Sequence, residues 1–195
     1  MKKILVYGSK DFALVVKHLV HDCHLDFAGF IDDYYPGTHV IGTFDEIAKH
    51  CSPDEYSIVI AIGYNNLEAR WKIYEKVVAH GFEVPKLVHP TALISGSSQI
   101  HKGAIVMMGA IADMNSEIHE LAVLWPGVVV SHDSVIQENT FLSPNSTVCG
   151  FVTVGKHSFI GAGAVIADHT LVPSNSFIKA NSVFHKKSIK SSDGR

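Results

Sequence analysis

From Val88 onward an aliphatic residue returns every six positions: Val88, Ile94, Ile100 and Val106, then Ala112 as the one small exception, then Ile118, Leu124, Val130, Ile136, Leu142, Val148, Val154, Ile160, Ile166, Val172 and Ile178. Four places after each of these stands a small or β-branched residue, from Ala92 and Ser98 to Ser176 and Ser182. The place before it is often glycine or asparagine, at Gly103, Gly109, Asn115, Gly127, Asn139, Asn145, Gly163, Asn175 and Asn181. These two residue types accept a positive φ at least cost. The columns predict a short strand with two inward side chains, then a sharp corner, with three hexads closing each coil. Residues 88–184 therefore read as a hexapeptide parallel β-helix with no loop inserted in the frame.

The first half has a different period. Lys3 to Tyr7 reads as a strand ending at Gly8, and the apolar residues Phe12, Val15, Val16, Leu19 and Val20 place a helix over Asp11 to Val20. Asp26 to Ile31 is a second extended run, closed by Asp32-Asp33 and the turn residues Tyr34-Tyr35-Pro36-Gly37. Ser57 to Ile62 is a buried-type strand ending at Gly63, and Leu67, Trp71, Tyr74 and Val78 predict a helix between a cap at Asn65 or Asn66 and a stop at Gly81. Residues 1–87 thus form a small Rossmann-like parallel α/β domain, and residues 185–195 a basic C-terminal tail.

Composition narrows the function. With 195 residues, 47% of them apolar, the chain is long enough for buried cores, and 16 basic against 19 acidic residues leave a net charge of −3. That balance argues against nucleic acid and anionic membranes as partners. The first apolar run is too short for a signal segment or a membrane span, and Cys23, Cys51 and Cys149 have no framework or thiolate-metal spacing, so a cytoplasmic protein is expected.

A glycine turn after the first strand and acids after the second suggest a dinucleotide site, yet Gly8-Ser9-Lys10-Asp11-Phe12-Ala13 keeps only one of the three Gly-x-Gly-x-x-Gly positions. Nicotinamide binding is disfavoured. Asp32 and Asp33 are candidates to accept from a ribose or base edge, or are simply a solvated turn, and Lys10 with the first helix amides is a candidate anion site.

The hexad pattern resembles the hexapeptide acyltransferase superfamily, and the whole chain looks like its NeuD/PglD family of bacterial sugar O- and N-acyltransferases. The matching stretches are Phe30-Ile31-Asp32-Asp33, Ala61-Ile62-Gly63-Tyr64-Asn65-Asn66 with Arg70 following, His89-Pro90-Thr91-Ala92, and Val129 to Ile136 with His132-Asp133 inside it. The resemblance implies a left-handed β-helix, a homotrimer, and transfer of an acyl group, normally acetyl from acetyl-CoA, to an amino group or hydroxyl of a sugar or nucleotide-linked sugar in surface-glycan biosynthesis. It implies His132 as general base with Asp133 orienting it, a role an imidazole beside a carboxylate is suited to. It further implies acceptor contacts from Gly8, Ser9, Lys10, Asp32, Asp33, Gly63, Asn65, Arg70 and Trp125. Coenzyme contacts are implied for Phe141, Gly150, Ala162, Ala180 and Lys186, with no metal.

Some positions depart from that family pattern. Lys10-Asp11-Phe12 replaces Gly-x-x-Gly-His, Trp125 an asparagine, Phe141 a second histidine, and Gln137 a glycine; the C-terminal Gly-x-Pro-Ala is absent. Trp125 and Phe141 imply a larger, more apolar pocket. The runner-up is a catalytically altered β-helix trimer acting as a scaffold. A zinc hydratase on the same helix would need a His-x-x-x-x-His pair, and none occurs. His101, His119, His157 and His169 read as exposed corner residues.

Overall fold

In the computed structural model, which describes residues 2–185, the first segment folds as β1 (Lys3–Tyr7), α1 (Asp11–Asp22), β2 (Phe27–Ile31), β3 (Val40–Gly42), α2 (Phe44–His50), β4 (Tyr56–Ile60) and α3 (Leu67–Ala79). The four strands are parallel in the order β3-β2-β1-β4. Chain order therefore reverses between β1 and β4, and a crevice opens at their carboxyl ends, where α/β sheets bind ligands. Ile4 to Tyr7 of β1 and Ala13, Val16, Leu19 and Val20 of α1 are buried, as their spacing requires.

Two elements escaped the hydrophobic pattern. β3 and α2 are short, but Thr43 and Glu46 form a reciprocal capping box at the start of α2, a signal visible in the sequence. The inner face of α3 also differs from the periodic reading. Arg70, Tyr74 and Val77 are buried, whereas Val78 is 40% exposed. The pattern went astray because this helix packs against the β-helix through an arginine.

The second segment stacks two-residue strands, from β5 (Leu87–Val88) to β21 (Val183–Phe184), into three parallel sheets of five, six and six strands. Pairing joins residues one coil apart, as in Val88 with Val106 and Ile118 with Ile136. The inward aliphatic column from Val106 to Val172 is fully buried. Each such side chain contributes about 1.5–3 kcal/mol relative to exposure. Ser134 and Ser158 lie among them and donate to the carbonyls of Cys149 (2.8 Å) and Pro173 (3.2 Å), so their hydroxyls are satisfied.

The glycine and asparagine column is the corner. φ is positive at every sixth residue from Gly103 to Asn181, and Leu121, Asp133, Phe151, His157 and His169 adopt it as well, at φ of 52 to 57°. An L residue holds this conformation at a cost of about 1–2 kcal/mol. One sheet of the helix carries the α/β unit: Leu87, Ile105, Val123 and Phe141 share a core with α1 and β1. Among the described residues no helix is long and apolar enough to cross a membrane.

Candidate functional site

The crevice at the β1/β4 switch has a volume of about 720 Å³ and is lined by Gly8, Ser9, Lys10, Asp32, Asp33, Gly63, Asn65, Trp125 and Phe141, nine of the residues singled out from sequence. Gly8 follows β1 at φ 115°, and a Cβ there would lie 2.8 Å from the Ala61 carbonyl, so the close approach of the two strand ends demands glycine. α1 begins at the crevice rim, and Lys10 makes no side-chain cap, which leaves the first amides free for an anion.

The two acids are braced by hydrogen bonds, with Asp32 half-buried and Asp33 exposed. Burial alone would push Asp32 upward. Hydrogen bonds from Ser9 Oγ at 2.5 Å and from the Tyr34 and Tyr35 amides at 3.0 Å outweigh it, with Lys10 adding to them, and hold the carboxyl below its usual range. Asp33 accepts from the Tyr7 hydroxyl and from the Phe44 amide at 2.8 Å. Burial first, and Asp33 second, push the Tyr7 phenol up, so it remains a donor. Both carboxylates line the crevice while fixing its loops. Lys10 lies 3.7 Å over the Tyr35 ring, which extends this end of the crevice as a cationic and aromatic shelf.

The opposite end is apolar. Phe12, Trp125 and Phe141, three departures from the family pattern, touch one another at ring-centroid distances of 5.6 to 6.0 Å. They fill space with each other, so this end of the crevice has a packed aromatic floor, with Phe141 only 2% exposed. Beyond it, Tyr64, Phe159 and Phe177 border a hollow of about 440 Å³ that includes Ala162 and Ala180. Lys186 lies outside the described residues.

His132 and Asp133 stand at another corner of the coil. His132 Nδ1 is 2.9 Å from Asp133 Oδ2, and Asn115, one coil earlier, donates to Asp133 Oδ1 at 3.1 Å. These two hydrogen bonds, His132 first, hold the Asp133 carboxyl below its usual range. An ionised carboxylate only accepts, so Nδ1 carries the proton and Nε2 presents its lone pair. Gly150 lies one coil later, where a Cβ would sit 2.8 Å from Cε1 and 2.9 Å from Nε2 of the imidazole. The missing side chain lets the imidazole lie directly against the coil at Gly150. Gly150 therefore lies beside the base, on a different corner from Ala162 and Ala180. A step of one coil length from His132 was the available signal.

Arg70 is not on the crevice surface. It is wholly buried between α3 and the β-helix, where Nη1 donates at 2.6 Å to both the Leu121 carbonyl and Asn139 Oδ1. The reading of His157 as an exposed residue is also corrected, because its ring is half-buried against Trp71 and meets Asn139 Nδ2 at 2.8 Å. His101 and His119 stack with centroids 4.7 Å apart and planes 5° apart, and Glu120 lies beside both. Ligand atoms of these three fall within 4.8 Å of one another. The ring planes are parallel, so a cation between the nitrogens would sit out of the plane of both lone pairs.

Residues 3–77 match the PglD N-terminal domain family, and residues 133–168 match the bacterial transferase hexapeptide family of six repeats. The acetyltransferase domain of PglB from Neisseria gonorrhoeae is similar at 28% identity and a TM-score of 0.86, over 94% of this chain and 91% of that one. The same domain has been solved with acetyl coenzyme A. PerB from Caulobacter crescentus, in complex with CoA and GDP-perosamine, is similar at 29% identity and a TM-score of 0.86, over 94% and 89% of the two chains. WeeI from Acinetobacter baumannii, at 18% identity and a TM-score of 0.53, shares the fold over 91% of this chain and 96% of that one.

Proposed function

We propose that this chain, which belongs to the PglD/NeuD-type acyltransferases of the left-handed β-helix hexapeptide superfamily, transfers an acetyl group from acetyl-CoA to an amino group or hydroxyl of a nucleotide-linked sugar. The observation that carries the reading is the His132–Asp133 pair, an imidazole held by Asp133 at Nδ1 and seated over Gly150, with Nε2 left as the free nitrogen. Nε2 takes the proton from the acceptor as its nitrogen or oxygen attacks the thioester carbonyl. The new bond to the acetyl carbon forms, the carbon–sulfur bond breaks, and the imidazolium returns its proton to the departing thiolate. Asp133 stabilises the transient imidazolium.

The crevice is the nucleotide site in this reading. The braced acids and Lys10 meet the polar end of the ligand, the α1 amides meet a phosphate, and the aromatic floor meets the sugar. The related PerB structure, which holds GDP-perosamine and CoA, supports that class of acceptor. Ala162 and Ala180, small residues beside an apolar hollow, are with Phe141, which lines the same hollow, the coenzyme contacts proposed on this protomer.

One protomer does not bring these parts together. Trp125, at the crevice, and His132 occupy successive corners, separated by the sheet that contains Val129. The outward residues of that sheet are Leu93, Ile111, Val129, Thr147, Val165 and Val183, with Leu93 and Val183 63% and 66% exposed. Such a face suits burial against another copy. A homotrimer pairs the His132 of one copy with the crevice of its neighbour. Light scattering is expected to give the mass of a trimer, and a monomer at micromolar concentration would remove the proposed shared site.

The test of the activity is thiol release from acetyl-CoA in the presence of nucleotide-linked amino sugars and their hydroxyl analogues. Release that depends on the acceptor is expected. Binding of both substrates without release would favour the scaffold reading.

A further inference from the structure

The crevice wall formed by Gly63, Tyr64, Asn65 and Asn66 has no strand of its own, and its position depends on what holds its two ends. At one end the Tyr64 ring packs on Phe159 with centroids 4.4 Å apart. At the other, α3 begins at Leu67, whose carbonyl accepts from Asn139 Nδ2 at 2.7 Å. We propose that Asn139 is a positioning residue for nucleotide binding, which with Arg70 and His157 clamps the end of this wall to the β-helix. The inference rests on the reading of the crevice as a nucleotide site.

Every atom of the Asn139 amide is committed. Its Oδ1 accepts from Arg70 Nη1 at 2.6 Å, which fixes the amide orientation, so Nδ2 donates to the Leu67 carbonyl and to His157 Nδ1 at 2.8 Å. His157 must therefore accept at Nδ1. Burial, its largest influence, pushes this imidazole below its usual range, toward the neutral form that accepts. Glu138 and Glu75 oppose that shift and Lys156 reinforces it.

Arg70 is an unusual choice if stability alone were at stake. Its guanidinium is fully buried, Nε and Nη2 have no partner among the described residues, and no carboxylate there is within ion-pair distance. Burial pushes its pKa down to about 9. Replacing a buried charge by an apolar residue is often neutral or stabilising, whereas a planar fork fixes direction. Here one nitrogen of that plane, Nη1, ties α3 to the same corner on two successive coils, at Leu121 and Asn139, and so sets the rotation of α3 against them. Ala69 and Ile73 of α3 line the crevice, so that rotation is felt at the ligand.

Asn139→Asp separates positioning from stability. Aspartate tolerates the positive φ, keeps the acceptor and gives Arg70 a counter-charge, but it can donate neither to Leu67 nor to His157 Nδ1. Calorimetric titration of the full chain with GDP, UDP and coenzyme A is the measurement. The expected result is a melting temperature no lower than wild type, nucleoside diphosphate affinity weakened about tenfold, the equivalent of one hydrogen bond, and coenzyme A affinity unchanged. His157→Leu, at an outer corner, is expected to weaken nucleotide binding less, and His157→Asn, which restores an acceptor, to recover it. Unchanged nucleotide affinity in both Asn139→Asp and His157→Leu would overturn the clamp alone, as would a parallel loss of coenzyme A affinity. A wild-type chain that binds neither GDP nor UDP would overturn the crevice reading, and the clamp with it.

Discussion

Replacing His132 with alanine is expected to lower turnover by about 10²- to 10⁴-fold, the usual contribution of a positioned general base, with little change in acetyl-CoA affinity. That range corresponds to about 3–5 kcal/mol of transition-state stabilisation. The pH profile carries a sign. The base acts only when neutral, so the rate climbs with pH and then levels. Because hydrogen bonds to His132 and Asn115 hold the Asp133 carboxyl low, Asp133 stays ionised throughout and adds no second limb near neutrality. Asp133→Asn preserves the positive-φ corner, where asparagine is favoured, and loses the charge that stabilises the imidazolium. Its rate is expected between wild type and His132→Ala. Full activity in His132→Ala, measured by steady-state thiol release, would remove the base from the mechanism.

The second large effect is expected from a single methyl group. A Cβ at residue 150 would meet the His132 ring at 2.8 and 2.9 Å, closer than side chains pack, so in Gly150→Ala the imidazole must swing away. A displacement of about 1 Å at a reacting group costs about 10² in rate. Gly150 does not lie in the positive-φ region, so alanine brings no backbone strain. Turnover is expected to fall about 100-fold with the melting temperature unchanged. Wild-type turnover in this variant would mean that Nε2 is not the reacting atom.

The β-helix was legible because its signal is local and repeated: each hexad states the same inward column and the same corner. The His132–Asp133 pair was legible for a related reason, since two adjacent residues at one corner need no tertiary information to meet. Partners one coil away were harder. Asn115, Gly150 and the Asn139–His157 pair follow from an 18-residue step along the corner columns, which the frame contained but six-residue periodicity did not expose. The interface between the two units was not legible at all. The apolar spacing of α3 pointed to Val78 beside Tyr74, and the buried residues are Arg70, Tyr74 and Val77, because the helix is docked by an arginine that hydropathy counts as surface. Trp125 and Phe141 already read as one apolar pocket, and Phe12 as a departure elsewhere in the family pattern. In space they are one cluster, and each accounts for the others.

The central claim is that the base of one copy serves the crevice of the next. Co-assembly of two inactive variants tests it most directly. His132→Ala lacks the base, and Gly63→Trp blocks the crevice, because a Cβ at Gly63 meets nothing within 4 Å and a large side chain there projects into the ligand space. Trimers containing both variants are expected to recover acetyl transfer, since some neighbouring pairs join an intact His132 to an intact crevice. Mixed trimers that remain as inactive as either parent would contradict the shared site and return the chemistry to a single protomer.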